Sequence, residues 1–318
     1  MKSKKSPLLL AAGLLAASAA QAAINVDTVS VGDAGNVGEV QSQGTFGAVS
    51  YGYHIGTYEV TNGQYTAFLN AKATTDAHAL YNSNMGSNTH GGINQSGTSG
   101  SFSYSVKSGF ENKPVNFVSF WDAARFSNWL TNGGGSGDTE TGMYNLNGTT
   151  NPTNNTVTRQ LDFSLGQNGV AIASENEWYK AAYYDGSGSY SLYPTQSNSI
   201  TTADANYDNS VGTVTDVGAY AGDPSHYGTF DQGGNVWEWN DAIVSTSTRV
   251  MRGGSFSDID FSLQSSSRPS LNPTVEDSTL GFRVTSLAPI PEPSAYAAIL
   301  GCLGLGLALM RRKGRGTL

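Results

Sequence analysis

The most chemically suggestive stretch is Asp231-Gln232-Gly233-Gly234-Asn235-Val236-Trp237-Glu238-Trp239. It places two carboxylates seven residues apart around a Gly-Gly turn. That spacing is compatible with a hard cation, which takes six to eight oxygen ligands and mixes carboxylates with backbone carbonyls. The plainer alternative makes Glu238 the cap of a turn beneath two core tryptophans. A second acidic pair, Asp258 and Asp260, follows Arg252-Gly253-Gly254-Ser255-Phe256, and Arg268 and Arg283 come later. The plainer reading makes Arg252 and Arg283 buried cations paired with carboxylates, with the two aspartates in a solvated loop.

Soft-metal and thiol chemistry find no support. The one cysteine, Cys302, lies in an apolar C-terminal run, so the body of the chain has no disulfide, thiolate metal site or cysteine nucleophile. The four histidines, His54, His78, His90 and His226, form no H-x-H or H-x-x-x-H pair. A facial iron triad would have to be assembled from distant positions. No phosphate-binding glycine loop, nucleophile elbow or H-E-x-x-H occurs.

The elements that must position these residues announce themselves by their caps. Thr61 with Gln64, Ser119 with Asp122, and Ser174 with Glu177 each have a hydroxyl at the cap and a polar or acidic residue three positions on. Apolar residues then recur at helical spacing: Tyr65, Phe68 and Leu69; Ala123, Phe126, Trp129 and Leu130; Trp178, Ala181 and Ala182. Gly133 to Gly135 should stop the second helix. Alternating runs at 51–60 and 250–256 predict strands. Long Gly/Asn/Ser/Thr stretches at 82–101, 131–155 and 186–213 predict surface loops. No 20–50-residue repeat and no Pro-rich linker divides residues 24–287, so a single α+β domain with little regular secondary structure is expected.

The charge is divided unevenly. The chain has 318 residues and a net charge of −8. Seven of its 17 bases sit at the two ends, and one of its 25 acids, Glu292, is in the tail. The body therefore carries ten bases against twenty-four acids, which argues against a nucleic-acid partner. Residues 1–23 are expected to be a signal peptide: Lys2, Lys4 and Lys5, an apolar run from Leu8 to Ala17, then Ala20-Gln21-Ala22 as a cleavage site. At the other end, Pro291-Glu292-Pro293 precedes an apolar run over 295–310 and then Arg311-Arg312-Lys313. As a helix that run would span about 24 Å, short of a ~30 Å hydrocarbon core but tolerable. The bases after it fit cytoplasmic placement. The three-part tail, 288–318, closely resembles the PEP-CTERM sorting signal of Gram-negative bacteria. That resemblance implies processing by an exosortase-type protease, membrane association through the helix, and a cell-envelope, surface or extracellular location. A plain membrane anchor is the alternative.

Six segments occur in a telling order: Ile55 to Tyr65; Lys113-Pro114-Val115-Asn116; Ser174 to Trp178; Gly234 to Trp239; Arg252 to Phe256; and Gly281-Phe282-Arg283. Together they resemble the sulfatase-modifying-factor family, that of formylglycine-generating enzyme, over about residues 50–285. The family is related to the iron-dependent sulfur-transfer enzymes of ergothioneine synthesis. The resemblance implies a variant of the C-type-lectin fold. It also implies calcium bound by the side chains of Asp231 and Glu238 and the carbonyls of Gly234 and Val236. A second calcium site would fall at Asn206 and the Tyr207 carbonyl, with Asp208 or Asn209. The two copper-holding cysteines of the family would fall at Asp258 and Leu263, so that oxidase chemistry should be absent. The resemblance also implies that Asp258, Asp260, Arg252 and Arg268 gather at the family's active-site cleft, as a polar ligand pocket or a hard-metal site. The expectation is a calcium-stabilised binding or structural module without iron or copper, with exopolysaccharide as a possible ligand class. The competing expectation is a non-haem metal oxidoreductase acting on a sulfur compound.

Overall fold

The computed structural model describes residues 24–290. The expected leader (1–23) and the apolar run at 295–310 lie outside the described residues. Among the described residues no helix is long and apolar enough to cross a membrane.

Among the described residues, twelve strands and four α-helices alternate with long irregular segments. The strands are β1 (Thr28–Val31), β2 (Glu39–Gln41), β3 (Gly44–Phe46), β4 (Tyr53–Gly56), β5 (Ile93–Ser96), β6 (Ser103–Val106), β7 (Val170–Ile172), β8 (Trp237–Ser245), β9 (Thr248–Arg252), β10 (Ser270–Leu271), β11 (Leu280–Gly281) and β12 (Val284–Ser286). The helices are α1 (Asn62–Lys72), α2 (Asn84–Ser87), α3 (Phe120–Thr131) and α4 (Glu175–Tyr183).

The three longer helices carry the capping boxes expected of them. In each, the cap hydroxyl accepts the third residue's amide and that residue's side chain reaches back. Past α3, Gly133, Gly134 and Gly135 all have positive φ and turn the chain away.

Strand prediction is less faithful. Of 51–60 only Tyr53–Gly56 is laddered. Beyond it, Thr57 donates to the Asp27 carbonyl and Val60 to the Phe282 carbonyl, individual bonds to different segments. Of 250–256, the strand stops at Arg252, because Gly253 and Gly254 have φ of 103° and 76°, which a ladder cannot accommodate.

One four-stranded sheet has the order β1-β4-β12-β7, entirely antiparallel, so the first and last strands of the domain share the partner β4. The other has the order β10-β9-β8-β11, with β11 parallel to β8. The main core gathers Phe68, Phe120, Phe126, Trp129, Trp239 and Phe282 among its buried residues. Aromatic edges meet faces there, as in Phe126 on Phe282 at 5.4 Å. The consequence for function is that β8, β11 and the turns before them converge on one interior region.

Candidate functional site: a carboxylate-rich centre around Arg283

Glu238 is the second residue of β8, and Arg283 follows β11, which pairs with it. Both side chains are fully buried. Arg283 grips Glu238 as a fork: Nε donates to Oε2 at 2.6 Å and Nη2 to Oε1 at 2.7 Å. The Trp178 indole adds a third bond, to Oε2 at 2.7 Å. Arg283 also donates to the carbonyls of Gly56 and Phe230. Glu238 is thus the counter-ion of a buried arginine. Both oxygens of Glu238, expected among the calcium ligands, are engaged by these three donors.

Two further carboxylates crowd the same cation. Glu59 is buried at 2% exposure. Its Oε1 accepts from the Asn235 amide at 3.0 Å, while its Oε2 has no partner. Burial, then the nearby Asp231, pushes the Glu59 carboxyl well above the usual range. Asp231, half-buried and in a left-handed conformation (φ 60°), accepts the Gly218 amide at 2.5 Å. Burial pushes its carboxyl up to about 6, against the pull of the Gly218 amide and Arg283. Three carboxylates therefore share one guanidinium.

The second expected calcium segment faces this centre. Asn206, also at 2% exposure, donates to the Thr213 carbonyl at 2.9 Å and to Asn235 Oδ1 at 3.3 Å, while its own Oδ1 has no partner. Asn235 therefore bridges Glu59 and Asn206. Gly234, at φ 86°, lies against the Asn206 carbonyl, where a Cβ would collide. The Tyr207 carbonyl accepts the Ser210 amide at 3.1 Å. Among the described residues no three His, Cys, Asp or Glu side chains are grouped to hold a metal. A hard cation here would rest on a mixed set, and the two orphaned oxygens, on Glu59 and Asn206, fit calcium's demand for such ligands.

The positions expected to replace the family cysteines are occupied structurally. Asp258 Oδ2 accepts from the Ser255 amide at 3.1 Å and from the Ser255 hydroxyl, and it holds the Trp237 indole at 2.9 Å. Leu263 is fully buried against Tyr193, Ala205 and Tyr207. Asp260 is exposed and accepts the amide of Phe261.

Arg252 and Arg268 do not join these aspartates in a pocket. Both bind Glu175, at 2.7 Å and 2.6 Å. The acid that draws them together stands in the first turn of α4 and was legible only as part of a cap. Nor do the histidines converge. His54 lies on β4, His78 is 3.5 Å from Glu140, His90 bonds Thr213, and His226 meets Tyr227 edge-on.

A cleft of about 580 Å³ opens beside the centre. Asp27, Glu59, Glu111 and Asp216 line it, with Asn25 and Gln64, and none of its lining residues is basic. Sequence reasoning passed over Glu59. The available signal was a lone acid between Tyr58 and Val60 at the end of an otherwise uncharged run.

The family described as the sulfatase-modifying factor enzyme 1-like domain matches residues 25–287. The structure of Treponema denticola variable protein 1 is similar with a TM-score of 0.58 and 20% identity, covering 84% of this chain and 99% of that one. CarF is similar with a TM-score of 0.55 and 22% identity, over 83% of this chain and 98% of its own. PvdO from Pseudomonas aeruginosa has a TM-score of 0.47 and 18% identity, over 84% and 93%. No curated protein matches the chain. The first two likenesses concern the fold alone. The mixed strand and helix content in one domain is consistent with a C-type-lectin-like architecture.

Proposed function

Because the chain belongs to the sulfatase-modifying factor enzyme 1-like family, we propose that it is an exported member in which packing has replaced thiol chemistry, leaving a calcium-stabilised binding module. The observation that carries this reading is the fate of the two expected cysteine positions. One holds Leu263, sealed in an apolar cluster, and the other Asp258, tied to Ser255 and Trp237. Copper oxidase chemistry needs soft thiolates, and none is present in the body of the chain. Purified protein should neither consume oxygen with a peptide thiol nor form an aldehyde on it. Stoichiometric iron or copper together with thiol-dependent oxygen uptake would replace this reading with the oxidoreductase one.

Calcium would be held by Glu59, Asp231 and Asn206, with carbonyls of the Gly234–Val236 turn and Tyr207. Bound there, it would supply positive charge to a centre where carboxylates outnumber arginine three to one. The acidic cleft beside it, with the carboxylates of Glu111 and Asp216 and the side-chain amide of Asn112, offers hydrogen bonds to a hydroxyl-rich ligand, which supports a polysaccharide partner. Titration with neutral and anionic glycans tests this. Saturable binding of a neutral glycan, lost when Asn112 becomes alanine, is the expected result, and no binding of any glycan would refute it.

Export and surface sorting rest on the leader-like 1–23 and the PEP-CTERM-like tail. Deleting 291–318 should send the protein into the medium unprocessed. Identical location and processing with and without the tail would rule out the signal.

A further inference from the structure

The walls of the cleft beside the Arg283 centre are fastened to one another. Gln64 holds the segment 24–27 against α1, its side-chain amide donating to the Asn25 carbonyl at 2.6 Å. Farther along, the Asp27 carbonyl accepts the Thr57 amide at 2.9 Å. The carbonyl of Glu111 accepts the Gly63 amide at 3.1 Å, and that of Asn112 the Val217 amide at 2.8 Å. The Glu111 carboxylate lies so close over Gly63 that a Cβ there would collide with it. Tyr58, stacked on Phe230 with ring centroids 5.6 Å apart, adds an aromatic wall. At about 580 Å³ the space lies within the ordinary range of small-molecule sites, about 300–1,000 Å³.

Nothing in this cleft is fitted to an anion. The positive end of α1 adjoins it, yet the orphan amides there are spent: Thr61 on Gln64 Oε1, Asn62 on the Lys113 carbonyl, Gly63 on the Glu111 carbonyl, and Gln64 on Thr61 Oγ1. Lys113, next to Asn112, donates to the Val214 carbonyl at 2.7 Å and stands 3.7 Å from Asp216. Among the described residues Asp27, Glu59 and Glu111 enter no ion pair. Asp27 and Glu111 are exposed. Glu59, which also lines the cleft, is only 2% exposed, and its Oε2 accepts no hydrogen bond while Asn235 holds Oε1. A buried carboxylate in that state calls for a donor and for positive charge. A hydroxyl would supply the bond alone, whereas an ammonium supplies both, with three N–H donors and no acceptor.

We propose that the ligand of this cleft is a glycan bearing free primary amines, a de-N-acetylated amino-sugar polymer, whose ammonium group is held by Glu59 and the exposed acids Asp27 and Glu111. This rests on the binding-module reading and narrows it from glycans in general to cationic ones. Glu59 serves both the cleft and the calcium position assigned above, so ammonium and calcium draw on one carboxylate and each weakens the other's binding.

Calorimetric titration of the full chain with a glucosamine oligomer and with its fully N-acetylated counterpart tests this, at mildly acidic pH where the sugar amine is charged. In chelator at low salt the amine oligomer should bind about tenfold more tightly, and salt should shrink the difference by screening the exposed acids. Added calcium should narrow it as well. Glu59→Gln, which removes the charge and keeps an acceptor, should abolish most of the preference. Glu111→Gln, at an exposed position, should reduce it, which covers the case in which the Glu59 variant does not fold. Equal affinity for the two oligomers, or a preference undiminished in Glu111→Gln, would overturn the proposal and leave the neutral-glycan reading standing. If neither oligomer binds, the proposal falls together with that reading.

Discussion

Two buried arginine centres in this molecule have opposite stoichiometry. At the first turn of α4, Glu175 serves two guanidinia, Arg252 and Arg268. The surplus positive charge is spread over the carbonyls of Ser265 and Ser267 and over the rings of Phe46 and Tyr179, each 4.9 Å from Arg252. That centre is complete with what the chain provides. Around Arg283 the ratio is reversed. Glu238 neutralises the arginine, and Glu59 and Asp231 remain, one with an oxygen that accepts no hydrogen bond. Surplus cations can be absorbed by carbonyls and aromatic faces, which any fold supplies in quantity. Surplus carboxylates need protons or a cation from outside. The lesson is that a structural ion pair and a ligand site can look alike in sequence and differ only in the count of charges.

Breaking each centre should separate them. The largest effect belongs to Arg283→Met, which leaves three acids without their cation. We expect a loss of about 3–5 kcal/mol in urea unfolding, or failure to fold. Glu175→Gln should cost less, about 1.5–3 kcal/mol, because carbonyls and rings continue to share the two guanidinia. Calcium sharpens the contrast. At a concentration one hundred times its dissociation constant it should add about 2.7 kcal/mol to the wild type and to Glu175→Gln, and nothing to Glu59→Gln.

The smallest effect is the pH dependence in chelator. Asp231 is raised, so its contribution is present at low pH and is lost as pH rises through about 6. Asp231→Asn should flatten that part of a melting-temperature profile. Calcium should reverse the wild-type slope, since ligating carboxylates must be ionised.

Much of the fold was legible because its helix signals are local. Thr61–Gln64, Ser119–Asp122 and Ser174–Glu177 need only four consecutive residues each, and all three form. Strand limits were not legible in the same way. Whether Thr57 to Val60 joins a ladder depends on Asp27 and Phe282, distant in sequence. The site follows the same division. The Gly233-Gly234 turn and its acids stood out, but the partner of Glu238 is 45 residues away and that of Asn235 is 176 away. Glu175 was read as part of a helix cap because that is all its neighbours in sequence reveal. Its second role, binding two arginines, arises only when separate segments pack together.

Elemental analysis of the full chain purified from its own host tests the central claim most directly. The account predicts calcium in stoichiometric amount, lost in Glu59→Gln, with iron and copper at trace level. Stoichiometric iron or copper, or calcium content unaffected by Glu59→Gln, would contradict it.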